Sequence, residues 1–191
     1  MSPLAKTFLS WYEAGDFPMT EPDGQIARYS SDPRGILPLD EFHIPRRLQR
    51  WLRRQPYTVT HNRAFRAVME GCASRKSTWI STPIVDGFCQ LHCEGYAHSL
   101  EAWLGDELVG GLYGLCLGGT FCGESMFSRA DHASKVCLVE LARRLQLGGF
   151  ELIDCQSITP TLRQFGARWV DFATYFRWFQ RLRFKDCYLG E

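Results

Sequence analysis

A mixed α/β domain with a substantially antiparallel sheet flanked by helices is what these 191 residues predict, on three observations. Apolar residues recur at helical spacing through the first half of the chain, then change to strand-like patterning near Ala97. The tight turn Gly105-Asp106 joins two extended runs as a hairpin. A long amphipathic helix from Ala133 to Leu147 stops at Gly148-Gly149 and leads into an apolar strand, Glu151 to Asp154.

In order, Leu4 to Ala14 forms a short helix carrying Phe8, Leu9, Trp11 and Tyr12. Residues 18–40 are rich in Pro, Gly, Asp and Ser and read as irregular structure with short extended pieces. Pro45 suits a first helical turn, and Arg46 to Arg54 follows with Leu48, Trp51 and Leu52 at helical spacing. Tyr57 to Thr60 is a short strand, Ala64 to Ala73 a helix with Phe65, Val68 and Met69 on one face, and Pro83 to Glu94 a third helix. Ala97 to Trp103 and Glu107 to Leu117 make the hairpin, and Phe121 to Phe127 is another extended piece. After the strand ending at Asp154, Thr159 begins a short helix and Phe172 to Arg183 a last, aromatic-rich one.

Composition narrows the class. With 45% hydrophobic and 14% aromatic residues the chain is no disordered segment, and its length suits one compact domain with at most a small appended subdomain. Twenty-two Lys+Arg against 21 Asp+Glu leave a net charge of +1, which excludes a polycation or an acidic tail. No apolar run approaches the ~18 residues of a membrane span, and the start, Met1 to Lys6, has no secretory apolar core. A cytoplasmic protein is expected. The eight cysteines are scattered, mostly inside apolar runs. Cys89 and Cys93 flank His92 one helical turn apart, but no second Cys/His pair stands at the spacing of a four-ligand zinc site. Reduced, partly buried thiols and no metal are therefore expected.

Three stretches can carry chemistry. Asp154 and Gln156 end an apolar strand, where residues two apart share a face, so the carboxylate can accept from the amide and aim its oxygen. The plainer alternative is that Asp154 caps the following turn. Glu124 stands alone in a Gly-rich apolar stretch, and such an acid needs either a structural Arg or a cationic ligand. Finally, from Phe42 to Met69 there is no acid but seven arginines, five of which (Arg46, Arg47, Arg50, Arg53 and Arg54) lie on one broad helix face opposite Leu48 and Leu52. A solvated face would interleave Glu with Arg; an acid-free one suits a phosphate backbone, whatever its base sequence.

Several motifs then fall into line. The run Phe121-Cys122-Gly123-Glu124-Ser125-Met126-Phe127-Ser128-Arg129, followed by Ala133-Ser134-Lys135, Leu152-Ile153-Asp154-Cys155-Gln156 and Phe165-Gly166-Ala167, resembles the bacterial leucyl/phenylalanyl-tRNA–protein transferases. Ser31-Asp32-Pro33-Arg34-Gly35, Glu70-Gly71-Cys72-Ala73 and Thr78-Trp79-Ile80 support the likeness, which runs from about Tyr12 to about Arg181.

The resemblance implies an acetyltransferase-like (GNAT-like) fold and an enzyme that moves Leu or Phe, Met less well, from aminoacyl-tRNA to protein N-termini bearing Arg or Lys, creating a degradation signal. No cofactor is implied, and no pyrophosphate loop for acyl-CoA is present. By positional match Asp154, Gln156 and Glu124 are catalytic. Leu112, Phe121, Met126, Leu138 and Ile153 build the aminoacyl pocket, Trp79 stacks on the terminal adenine, and Arg46, Arg47, Arg50, Arg53 and Arg54 meet tRNA phosphates.

Residues 1–40 are expected to be a reduced N-terminal segment and 41–191 the catalytic domain, because the family's usual N-terminal lead-in is missing. Met19 replaces a common Trp, and Thr161 a common His. A monomer is expected. Two other readings stand beside this one: a GNAT-like N-acyltransferase with another donor or acceptor, and a non-catalytic tRNA- or degron-binding module.

Overall fold

The computed structural model describes residues 1–54 and 56–190. Helix α1 (Pro3–Glu13) is followed by the hairpin β1 (Phe17–Thr20) and β2 (Ile26–Tyr29), then β3 (Arg34–Pro38), α2 (Arg46–Leu52) and β4 (Thr58–His61). Next come α3 (Phe65–Ala73), α4 (Thr82–Cys93), β5 (Ala97–Leu104), β6 (Glu107–Leu117), β7 (Thr120–Ser128) and α5 (Ala133–Leu147). The chain closes with β8 (Leu152–Gln156), α6 (Pro160–Arg163), β9 (Arg168–Val170) and α7 (Phe172–Leu182). Seven strands form one sheet in the order β4-β5-β6-β7-β8-β3-β9. Every neighbouring pair is antiparallel except β7 and β8. The architecture is the expected mixed α/β domain with a mostly antiparallel sheet between helices.

Strand alternation sorts the core into two layers. Ile36, Tyr113, Leu115, Cys122 and Leu152 pack on one face with residues of α1, α3, α4 and α7. Their chain neighbours Leu37, Leu112, Phe121 and Ile153 pack on the other, under α5 and Leu48 of α2. Two glycines of β6 permit close approach. A Cβ on Gly110 would lie 2.5 Å from that of Ala133 at the start of α5, and one on Gly114 would lie 2.5 Å from the Phe121 ring.

One boundary is corrected. The short extended pieces expected within residues 18–40 are β1, β2 and β3, and β3 lies inside the main sheet between β8 and β9, buried at every position. The same domain therefore begins before residue 41, and α1 joins it by burying Ala5, Phe8 and Tyr12 in the first core layer. The three-residue strand β9, too short to show a period, was not anticipated.

Candidate active site

The parallel pair makes the site. β7 and β8 stay in register only over Thr120–Leu152, Phe121–Ile153 and Cys122–Asp154. Beyond that rung β7 continues along β6, whereas β8 stops at Gln156. A cavity of about 370 Å³ opens where the two part. Its floor includes all five residues expected of an apolar pocket: Leu112, Phe121, Met126, Leu138 and Ile153. Leu138 arrives from the buried stripe of α5, and Leu112 pairs with Met126 across β6 and β7. The volume lies at the lower end of the ~300–1,000 Å³ usual for small-molecule pockets.

Gln156 and Glu124 lie together on the polar wall, but Asp154 does not. The shared face expected of Asp154 and Gln156 fails because Gln156 adopts a left-handed backbone, φ 51°. Cys155 and Gln156 both line the cavity, and Asp154 is buried completely on the other side. There its carboxylate takes Arg34 Nε at 2.8 Å, Arg34 Nη2 at 2.6 Å and the Tyr175 hydroxyl at 2.8 Å. It also accepts the backbone N–H of Gln156 at 3.0 Å. Arg34 is itself fully buried, its guanidinium 4.5 Å from the Tyr175 ring centre. Asp154 thus fixes the backbone of Gln156 rather than its side chain.

The amide is held by the other acid. Gln156 Nε2 donates to Glu124 Oε1 at 3.2 Å, which leaves Gln156 Oε1 as the free acceptor. Burial pushes the Glu124 carboxyl up to about 8, with the charge of Asp154 adding to the shift. Near neutral pH Glu124 is therefore mainly a neutral acid, able to accept on one oxygen and donate from the other. Of the two partners foreseen for a lone acid, the structural Arg is not found at Glu124 among the described residues.

Sequence reasoning missed Arg34 and Tyr175, and also Tyr12 and Tyr113. The hydroxyls of Tyr12 and Tyr113 are buried, that of Tyr12 beside the Glu124 carboxyl and that of Tyr113 without a hydrogen-bond partner among the described residues. Burial first, and then the Glu124 charge, push both phenols well above their ordinary value. Tyr113 also lines the cavity. Arg34 was visible only inside the Asp32-Pro33-Arg34-Gly35 motif, and Tyr12 only as a residue of the first helix.

Trp79 and Met19 line the same cavity. Strand β1 and the loop carrying Trp79 are joined by Thr20 N–H donating to the Trp79 carbonyl at 3.2 Å. The arginines of the α2 region, Arg46, Arg47, Arg50, Arg53 and Arg54, are all exposed and stand outside the cavity wall. None forms a salt bridge among the described residues. Of the other two in the acid-free segment, Arg66 pairs with Asp86 and Arg63 packs over Trp103.

Comparison with known proteins gives a consistent result. Residues 36–180 match the family model described as leucyl/phenylalanyl-tRNA protein transferase. A protein of that name from Herpetosiphon aurantiacus is 53% identical over 165 residues, covering 86% of each chain. Another from Ruegeria sp. is 49% identical over 179 residues, covering 93% of this chain and 85% of its own. Among solved structures, that of L-PGS from Bacillus licheniformis is 15% identical with a TM-score of 0.47, over 78% of this chain and 49% of that one.

Proposed function

The chain belongs to the leucyl/phenylalanyl-tRNA protein transferase family, and from that premise we propose that it moves Leu or Phe, Met less readily, from aminoacyl-tRNA to the N-terminal amine of proteins beginning with Arg or Lys, marking them for degradation. The observation that carries this reading is the apolar cavity with Gln156 and Glu124 at its polar wall.

The walls formed by Leu112, Phe121, Met126, Leu138 and Ile153 accept an apolar side chain and offer a charged one no partner. Trp79 stacks on the terminal adenine, and the exposed arginines Arg46, Arg47, Arg50, Arg53 and Arg54 hold phosphates of the acceptor arm. The donor ester is already activated, so no cofactor is called for. An α-amine has a pKa near ~7.7–8.0, so part of it is neutral at pH 7 and can attack.

Gln156 Oε1, aimed by the bond from its amide to Glu124, accepts a hydrogen bond from the incoming amine and points its lone pair at the ester carbon. The C–N bond forms as the C–O bond of the ester breaks, and the proton lost by nitrogen ends on the departing ribose hydroxyl. Asp154 is a positioning residue in this scheme: it fixes the left-handed turn at Gln156 and touches no substrate. Glu124 serves also as a polar anchor for the amine. The protein works as a monomer in the cytoplasm.

The test is transfer of labelled Leu or Phe from charged tRNA to peptides beginning with Arg, Lys, Asp, Glu or Ala. Labelling of the Arg and Lys peptides alone is expected. A folded protein that labels none of them would overturn the reading.

A further inference from the structure

We propose that a second groove, continuous with the cavity, binds a phosphate, namely the one on the 5′ side of the donor's terminal adenosine. The proposal rests on the reading of the cavity as the aminoacyl site. The groove has a volume of about 390 Å³ and shares Arg75, Met126 and Thr159 with the cavity. A molecule whose ester lies between β7 and β8 can therefore extend into it without crossing open surface.

The chemistry of the walls selects an anion. Arg75 and Arg129 both face the groove, together with the Thr159 and Thr161 hydroxyls, and no Asp or Glu lines it; the Ser128 hydroxyl there is already committed to the Ala130 carbonyl. Both guanidiniums are anchored but not neutralised. Arg75 Nη2 donates to the Met126 carbonyl at 2.5 Å. Arg129 Nη1 reaches the Leu108 carbonyl at 3.5 Å, and its guanidinium lies 5.2 Å from the Phe127 ring centre. Each guanidinium has five N–H donors, so most remain available.

Neither arginine meets a carboxylate among the described residues, whereas other exposed arginines do, such as Arg66 with Asp86 and Arg181 with Glu151. The Thr159 hydroxyl accepts the Leu162 N–H at 3.2 Å, which leaves its own proton free to donate. Fixed forks of N–H donors next to hydroxyls match phosphate oxygens.

The alternative occupant, the acceptor peptide, is disfavoured on charge. A peptide with a basic first residue would meet two unneutralised guanidiniums. The chain path agrees with the nucleotide: Arg75 and Trp79 belong to the single loop between α3 and α4, and both stand on the cavity wall. A base stacked on Trp79 thus has a cation from the same loop beside it for its phosphate.

Two minimal donors separate the phosphate from everything else: 3′-O-phenylalanyl adenosine and its 5′-monophosphate, assayed with an Arg-initiated peptide at low salt. The wild-type protein should use the phosphorylated donor about tenfold more efficiently in kcat/KM, the effect expected of charge-assisted hydrogen bonds. That ratio should fall to about one in Arg129→Ala and towards one in Arg75→Ala, with Arg129→Lys in between. Both arginines are exposed, so the variants should fold.

A wild-type ratio near one, or a ratio unchanged in both alanine variants, would overturn the phosphate site while leaving the cavity reading intact. Absence of transfer from either donor and from charged tRNA would overturn the cavity reading, and the phosphate site with it.

Discussion

Gln156 Nε2 and Glu124 Oε1 meet at 3.2 Å across the gap where β7 and β8 separate. An amide held by its nitrogen keeps its oxygen as a free acceptor, here on a residue that lines the cavity. The bond works with a largely neutral Glu124, because a protonated carboxyl keeps an acceptor oxygen. The three polar residues are thus linked: Asp154 accepts the backbone N–H of Gln156, and Glu124 accepts its side-chain amide.

Gln156→Ala removes that oxygen and should lower kcat for Leu transfer to an Arg-initiated peptide by roughly 10²-fold, at the lower end of what a positioned proton acceptor contributes. The KM for charged tRNA should change less than about threefold, since phosphate contacts dominate nucleic-acid affinity. Steady-state kinetics with charged tRNA as the varied substrate separates the two. Equal losses in kcat/KM through KM alone would place Gln156 in ground-state binding instead.

Asp154 calls for a different readout. It and Arg34 are both completely buried, and removing one partner leaves a buried charge without compensation. Asp154→Asn is therefore expected to destabilise the fold by about 3–5 kcal/mol, seen as a lower urea midpoint with an unchanged slope. Tyr175→Phe keeps the ion pair and loses the hydroxyl's bond to Asp154 and its longer one from Arg34, so its cost should be about 1–2 kcal/mol. If both variants retained full stability, the buried network would not be what holds β3, β8 and α7 together.

The helices and the hairpin were legible because each carries its own period. Ala133 to Leu147 and Glu107 to Leu117 appear within the bounds read from the chain, and the apolar pocket residues converge as positional matching suggested. What stayed hidden depends on partners remote in sequence. Arg34 is a core residue only because Asp154, 120 positions away, neutralises it, so β3 read as part of a Pro- and Gly-rich irregular stretch. The pairing of Gln156 with Glu124 rather than Asp154 depends on one residue's left-handed φ, which alternation cannot foresee. A carboxyl beside an amide was legible as an arrangement; which carboxyl meets the amide was not.

Glu124 gives the stability curve a signature. Its carboxyl titrates at about 8 when folded against an ordinary value of 4.5, chiefly because of burial. Between those values the folded state holds a proton that the unfolded state has released, so stability falls as pH rises through the window. The contribution is complete below the unfolded value and lost by the folded one. Glu124→Gln cannot ionise and escapes this loss. Its Tm relative to wild type should therefore climb from pH 5 to pH 8 and level off above. Parallel Tm curves across that range would mean that Glu124 does not ionise late.

The α2 region supplies the last prediction. Arg50 in α2 and Arg53 and Arg54 just past its end are exposed and without salt bridges among the described residues, and the helix is anchored by Leu48, so replacing all three with Gln should leave the Tm nearly unchanged. Each arginine that neutralises a phosphate releases a counterion, and the logarithm of affinity falls with that of salt by ~0.9 per phosphate on a duplex. If all three meet the acceptor arm, the triple variant should raise the KM for charged tRNA and flatten its salt dependence by about two to three. Transfer from a minimal aminoacyl-adenosine donor, which has no acceptor arm, should be lost no further in the variant than in wild type as salt rises. Measuring both donors between low and physiological salt distinguishes a tRNA contact from a general loss of positive charge. Identical salt slopes in variant and wild type would return this face to plain solvation.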